Sequence, residues 1–311
     1  MLECKVMTSP PPRPGYRGRF APSPTGPLHF GSLVAALGSW LHARAAGGEW
    51  YVRIEDVDRT REVPGAADLQ LFALQRFGLD WDGEVLRQSD RGPLYQAALD
   101  ELLSRGLAFE CHCSRSDLDN GGGIHRACVT GRSRQIPAIR LRVPDATTVS
   151  AADNIHGVIE QALDREVGDF VLRRADGCWA YQLAVVVDDA AQSITDVVRG
   201  ADLLDSTPRQ VYLQSLLGLP MPRYLHLPLV LDGEGRKLSK SLAAMPVDPA
   251  DPLSALHAAW TTLGQEASAV TGATSADAFL RRAVAAFDIG RIPRTPRAVA
   301  AMHNGISEDP A

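Results

Sequence analysis

Residues 19 to 32, Arg19-Phe20-Ala21-Pro22-Ser23-Pro24-Thr25-Gly26-Pro27-Leu28-His29-Phe30-Gly31-Ser32, set the architecture of the chain. Arg17 to Phe20 reads as a short strand running into a proline-bearing loop. From near Gly31 the apolar residues Leu33, Leu37, Trp40 and Leu41 share one face of a helix, and its first turn carries His29 and Gly31. Gly47-Gly48 ends that helix. Trp50, Val52 and Ile54 then alternate with Tyr51, Arg53 and Glu55, the signature of a strand. The alternation sets Arg53 and Glu55 on the face opposite the apolar one. Strand, loop, helix, strand is the opening of a parallel α/β sheet.

Further out, Leu69–Phe77 and Leu94–Leu103 read as helices. From Phe109 to Val143 the apolar periodicity fades while Cys, Gly and Arg accumulate, which marks an inserted subdomain. Regularity returns at Phe170-Val171-Leu172, a turn follows at Asp176-Gly177, and an apolar stretch runs through Val187. Ser206-Thr207-Pro208 is a helix start with a capping hydroxyl and a first-turn proline. Tyr224 to Leu231 reads as a strand entering the charged loop Asp232-Gly233-Glu234-Gly235-Arg236-Lys237, and the Ala-rich remainder reads as helical. The expected division is a leader (1–16), the first half of an α/β domain (17–108), the insertion (109–145), the second half of that domain (146–245) and a C-terminal helical region with its tail (246–311).

The 311 residues carry a net charge of -5, with 45% hydrophobic and 22% charged residues, the balance of a globular protein. A coat of basic surface is excluded, so a nucleic-acid partner has to be held by a local patch. No apolar run of about 18 residues suggests a membrane span. Five cysteines are too few for a disulfide scaffold, and a reducing, cytoplasmic setting is expected.

Three constellations carry chemistry. The strand-loop-helix at 19 to 32 offers unpaired backbone N–H groups to an anion, and Gly31 permits close approach of a nucleotide. No G-x-x-x-x-G-K-[ST] is present, so an ordinary P-loop is excluded. Lys237-Leu238-Ser239-Lys240-Ser241 pairs two lysines with hydroxyls, a set suited to clamping a polyphosphate. Cys111-x-Cys113 followed by His125-x-x-Cys128 supplies thiolates and an imidazole, the ligands of a tetrahedral structural zinc, within a Gly-rich segment that lacks a core of its own. His112 is a competing donor, but adjacent residues in a tight turn rarely all bind one ion, which favours His125. Read singly, His29 is a common lone histidine and the lysine loop a solvated basic loop.

Together, Pro-x-x-x-His-Phe-Gly-Ser near the start and Lys-Leu-Ser-Lys-Ser about 200 residues later resemble the paired signatures of class I aminoacyl-tRNA synthetases. The first segment and Arg53-Ile54-Glu55-Asp56-Val57-Asp58-Arg59-Thr60-Arg61 resemble the glutamyl branch. The resemblance covers roughly residues 17 to 245. It implies a Rossmann-like α/β catalytic domain with an inserted zinc-bearing subdomain and a short helical C-terminal region. It further implies ATP as a substrate, Mg2+ and Zn2+ as ions, and attack of the glutamate carboxylate on the α-phosphate. Arg19, Ala21, Ser23, Glu55, Tyr181 and Arg199 would form the glutamate pocket, with Glu55 meeting the ammonium. His29, Gly31, Ser32 and Lys240 would contact ATP, and His29, Gly31, Lys237 and Lys240 would serve the chemical step. Two cationic partners and one anionic one suit a dicarboxylate with an ammonium.

About 70 residues follow Ser241, where a full glutamyl-tRNA synthetase carries a large anticodon-binding region. The shorter family that this chain resembles, the glutamyl-queuosine tRNA(Asp) synthetases, glutamylates queuosine in the anticodon loop of tRNA(Asp). The resemblance implies a tyrosine where His125 stands here, and a spacing to the last cysteine one residue longer than that to Cys128, which leaves the fourth metal ligand open. The expected partners are L-glutamate, ATP and queuosine-bearing tRNA(Asp), with no membrane and a monomeric chain. Arg115, Arg126, Arg132, Arg134, Arg140 and Arg142 are the candidate basic patch. The alternatives are a compact discriminating glutamyl-tRNA synthetase charging a 3′ end, and a non-catalytic paralogue.

Overall fold

The computed structural model describes residues 15–118, 122–131, 133–231 and 246–298. Most of the expected leader, and the loop with Lys237 and Lys240, lie outside them.

β1 (Arg17–Phe20) leads through the proline loop into α1 (Phe30–Ala45), and β2 (Glu49–Ile54) returns parallel to β1. α2 (Ala66–Arg76) then precedes β3 (Leu86–Arg87), which pairs parallel with β2. After α3 (Gly92–Ser104) come β4 (Ala108–Cys111), the single turn α4 (Arg115–Leu118) and β5 (Ala138–Leu141). Next follow the antiparallel β6 (Thr148–Asp153) and β7 (Gly157–Ala162), α5 (Leu163–Glu166) and β8 (Phe170–Arg173). α6 (Tyr181–Ala191), β9 (Asp196–Gly200), α7 (Thr207–Leu216), β10 (Arg223–Leu227) and β11 (Val230–Leu231) come next. α8 (Pro252–Thr262), α9 (Ala276–Ala286) and β12 (Arg297–Ala298) follow.

Two sheets, β3-β2-β1 and β9-β10-β6-β7, meet edge to edge. Thr195 N donates to Arg17 O at 2.9 Å and Arg17 N donates to Thr195 Oγ1 at 2.8 Å, so β1 lies beside the start of β9. From β1 the chain winds one way and from β9 the other. Such a reversal leaves a crevice beyond the carboxyl ends of the two strands, the place where open α/β sheets bind ligands.

Both faces of the first sheet are covered, as a parallel sheet requires. Trp50, Val52 and Ile54 join the apolar cluster built with α1, α8 and α9, whereas Tyr51 packs against the cluster of α3, α6 and α7. A Cβ at Gly38 would lie 2.6 Å from Leu227 Cδ1, so α1 approaches β10 as closely as a missing side chain allows. No described helix is long and apolar enough to cross a membrane.

Some local expectations differ. His29 stands just before α1 as its N-cap, not inside the first turn. Ser206 does not cap α7, because a 3-10 turn over Ala201–Ser206 runs straight into that helix. Its hydroxyl instead accepts from Gln182 Nε2 at 3.2 Å. The strand expected over Tyr224–Leu231 is split in two around Pro228, which has no N–H for the ladder. The segment read as irregular contributes β4 and β5 to an antiparallel sheet whose third member is β8.

Candidate functional site

At the crevice between β1 and β9 lies a cavity of about 530 Å³. Arg19, Ala21, Ser23, His29, Gly31, Ser32, Glu55, Tyr181 and Arg199 all line it, so the described residues of the expected glutamate and ATP sets converge. The proline loop is pinned from both sides. Gln70 Nε2 on α2 donates to Ser23 O (3.1 Å) and Gly26 O (2.7 Å), and Glu55 N donates to Pro22 O at 2.9 Å. His29 Nδ1 accepts from Ser32 N at 3.2 Å while its Nε2 lies 3.0 Å from the Ser32 hydroxyl. That arrangement suits a neutral ring with its proton on Nε2. A Cβ at Gly31 would come within 3.3 Å of the same ring. Val230 also lines the cavity and Pro246 bridges to His29, so the described ends flanking the lysine loop border it.

Beneath the pocket lies a buried charge network. Arg19, 3% exposed, makes a two-pronged bond to Asp189 through Nε (3.1 Å) and Nη2 (3.3 Å). Arg53 Nη1 reaches the same carboxylate at 2.8 Å and Gln192 Oε1 at 2.7 Å. Arg53 Nη2 lies 3.5 Å from Glu55 Oε1, and its Nε 3.7 Å from Asp188 Oδ2. Asp188 in turn accepts from Gln88 Nε2 (2.8 Å) and the Tyr95 hydroxyl (2.7 Å). Burial pushes the Glu55 carboxyl up to about 7, against the pull of Arg53 and Arg19. Burial also works against ionised Asp189, but Arg19 and Arg53 outweigh it and hold the carboxyl below its usual range. Asp188 and Asp189 escaped the sequence reading, although two adjacent carboxylates ending an apolar helical run were the available signal.

Arg199 is built differently. Its Nε donates to His226 Nε2 (3.0 Å), Nη1 to Gln210 Oε1 (2.8 Å) and Tyr181 Oη (3.3 Å), and Nη2 to Thr207 Oγ1 (2.9 Å) and Leu203 O (3.4 Å). Every one of these acceptors is neutral. The nearest carboxylate in the chain of contacts is Asp153, which binds the far side of His226 at Nδ1, 2.7 Å away. Burial lowers the His226 pKa, keeping the ring neutral with Nε2 free to accept. Among the described residues no carboxylate pairs with Arg199, so its buried positive charge favours an anionic ligand.

A second cluster stands apart from the crevice. The ligand atoms of Cys111, Cys113, His125 and Cys128 all lie within 4.8 Å of one another, a group able to hold a metal ion. His112 is turned elsewhere, accepting from Arg134 N at 2.9 Å. His125 Nδ1 meets Asp169 Oδ2 at 2.9 Å, leaving Nε2 for the cluster. Such an outer carboxylate fixes a ligating imidazole, and 44 residues of separation hid it from the sequence reading. Gly168 has φ +68°, and a Cβ there would lie 2.3 Å from His125 O. The candidate basic patch is largely structural. Arg140 Nε donates to Cys111 Sγ (3.3 Å) and Arg134 Nε to His112 O (2.9 Å), Arg126 binds Val143 O and Asp145, and Arg142 lies 4.6 Å over Phe109. Arg132 and the side chain of Arg115 lie outside what is described.

Residues 16–135 and 124–251 match the catalytic-domain family of class I tRNA synthetases for E and Q. The chain is 63% identical over 281 residues to the glutamyl-Q tRNA(Asp) synthetase of Xanthomonas campestris pv. campestris (strain 8004), covering 90% of this chain and 94% of the relative. The Pseudomonas aeruginosa PAO1 protein of the same name is 53% identical, covering 90% and 96%. A glutamate tRNA ligase from Elizabethkingia meningosepticum, solved in complex with its amino acid, superposes with a TM-score of 0.75 at 25% identity, over 92% of this chain and 67% of that one. At these identities and coverages the chain belongs to the glutamyl-queuosine tRNA(Asp) synthetases, within the glutamyl branch of class I.

Proposed function

We propose that this chain activates L-glutamate with ATP, without tRNA, and transfers the glutamyl group to queuosine in the anticodon loop of tRNA(Asp). Arg199 carries the reading: a buried guanidinium with only neutral acceptors, facing the same cavity as Glu55. Together with Arg19 it offers charge for carboxylates, while Glu55 offers a carboxylate for the ammonium. His29, Gly31 and Ser32 take the ATP end of the cavity, and Lys237 and Lys240 would contact the polyphosphate, with Mg2+ as the accompanying ion.

In the first step a glutamate α-carboxylate oxygen bonds to the α-phosphorus and the bond to pyrophosphate breaks. The attacking carboxylate is already ionised near neutrality, so no general base is needed and positioning with charge neutralisation carries the rate. In the second step a hydroxyl of the queuosine cyclopentenediol bonds to the acyl carbon, AMP leaves, and the hydroxyl proton passes to the leaving phosphate. A vicinal diol presents itself much as a terminal ribose does. The relatives named for this activity match nearly end to end, which favours it over charging of a 3′ end. A complete charge set favours an enzyme over a non-catalytic paralogue.

The Cys and His cluster fits zinc. Zn–S of about 2.3 Å and Zn–N of about 2.0–2.1 Å put tetrahedral neighbours about 3.6 Å apart. His125 Nε2 lies 3.3 Å from Cys111 Sγ and 3.8 Å from Cys128 Sγ. When bound, the ion would supply structure, holding the 109–145 insertion in place of an apolar core. A cytoplasmic setting suits such thiolate ligands, because disulfides rarely persist there.

The decisive experiment pairs glutamate-dependent ATP–pyrophosphate exchange in the absence of tRNA with labelled-glutamate transfer to tRNA(Asp) with and without queuosine. Exchange without tRNA, and acceptance only by the queuosine form even after its 3′-terminal adenosine is removed, is expected. Exchange that needs tRNA, or charging of the 3′ end of tRNA(Glu), refutes the reading.

A further inference from the structure

A second cavity, about 540 Å³, adjoins the first. Ser23, Thr25, Glu55 and Tyr181 line both, forming a shared wall, whereas His29, Gly31 and Ser32 line only the first. The partition is directional. The amino-acid end of the first cavity abuts the second, and the nucleotide end points away from it. A nucleophile bound for the acyl carbon has to arrive at the glutamyl end, because the phosphate end is taken by the leaving AMP.

The outer walls come from different parts of the fold. Cys113, Ser114 and Arg134 belong to the metal segment, and Asp58 and Glu62 to the loop after β2. Arg174, Asp176 and Trp179 come from the turn between β8 and α6. Arg174 fastens these parts, donating to Asp58 Oδ2 at 2.8 Å and to Asp176. Asp58 also accepts from Thr60 Oγ1 (2.6 Å) and Arg61 Nε (3.0 Å), so its carboxylate is held ionised. Trp179 keeps an indole on the wall, braced by Arg173 at 5.1 Å from the ring and by the edge of Tyr95 at 5.7 Å.

We infer that this second cavity is the acceptor chamber, receiving one flipped-out nucleoside whose side chain bears a vicinal diol. The inference rests on the queuosine reading and names the residues that hold that acceptor. Asp58, Glu62 and Asp176 interleave with Arg61, Arg134, Arg140 and Arg174 on the wall, a set of acceptors and donors that suits a ligand rich in hydroxyls, the indole of Trp179 suits a heterocycle, and unpaired bases are commonly held by such stacking. The metal segment then acts as the outer wall of the chamber through Cys113 and Ser114, a role separate from glutamate activation.

The test separates the two half-reactions in full-length, metal-loaded protein. Asp176→Asn, Glu62→Gln and Trp179→Phe are each assayed for tRNA-free ATP–pyrophosphate exchange and for glutamate transfer to queuosine-containing tRNA(Asp). Free queuosine nucleoside is added as a competitor in both assays with wild-type protein. Exchange is expected within about twofold of wild type, showing an intact fold, while transfer kcat/KM falls at least tenfold for Asp176→Asn or Trp179→Phe. The nucleoside is expected to inhibit transfer and spare exchange. Unchanged transfer in all three variants overturns the chamber, as does a parallel fall in exchange, which would make the cavity part of the adenylation site. Wild-type protein that never glutamylates queuosine but charges a 3′ end overturns the proposed function itself, an outcome distinct from failure of the variants alone.

Discussion

Asp189→Asn is the sharpest probe of the buried network. The replacement keeps shape and removes one negative charge from a point where two guanidinium groups converge at 2.8–3.3 Å. Arg53 retains Glu55 and Asp188 at 3.5 and 3.7 Å, but Arg19 is left without an ion pair among the described residues. Removing one partner of a buried pair costs about 3–5 kcal/mol. Typical stabilities of about 5–15 kcal/mol leave the variant folded. At about 2 °C per kcal/mol for a long chain, the thermal midpoint is expected to fall by roughly 6–10 °C. The pH dependence gives the sign. The Asp189 carboxyl sits below its ordinary value in the fold, so its contribution is present above the unfolded value near 3.9 and is lost as pH falls through the lower folded value. Midpoints measured from pH 7 downward should keep the gap between wild type and variant to about pH 4 and narrow it below. KM for glutamate should rise as well, because Arg19 loses its two-pronged anchor. A variant with wild-type melting and wild-type KM would refute the account of how Arg19 is held.

Three further outcomes are expected. Glu55, raised to about 7 by burial, must be ionised to meet an ammonium, so kcat/KM for glutamate in the exchange assay should climb with pH and level off above 7. Glu55→Gln should flatten that limb at a low rate, and a flat wild-type profile would contradict the role. The same shift has the opposite stability sign from Asp189, favouring the fold below about pH 4 and losing that contribution as pH rises through 7. Asp169→Asn should weaken metal retention by about 10–100-fold in a chelator competition, while equal retention would leave His125 without need of its carboxylate. Lys240→Ala should slow exchange by about 2–4 kcal/mol of barrier, the scale of one lost preorganised donor, and an unchanged rate would remove Lys240 from the mechanism.

How much could be read in advance follows from where the information lies along the chain. β1, α1 and β2 were legible because Leu33, Leu37 and Leu41 repeat at helical spacing and Trp50, Val52 and Ile54 at strand spacing. Cys111, Cys113, His125 and Cys128 were legible because ligand chemistry is carried by residue type and short spacing. The supports of these groups were not. Asp189 reaches Arg19 across 170 residues and Asp153 reaches His226 across 73, contacts that leave no local pattern. Ser206 failed as a cap for a related reason. A hydroxyl before a proline signals a helix start, but the 3-10 turn that replaced the cap depends on how β9 delivers the chain to α7.

Gly168 offers no atom to a metal, yet its missing side chain decides whether His125 can stand where it does. Any added carbon would press within 2.3 Å of the His125 carbonyl oxygen, and the +68° backbone angle already disfavours every other residue. A saturation library scored for metal retention should therefore rank position 168 alongside the three cysteines. Interpreted without the fold, that ranking would assign a ligand to a residue with no side chain to coordinate with.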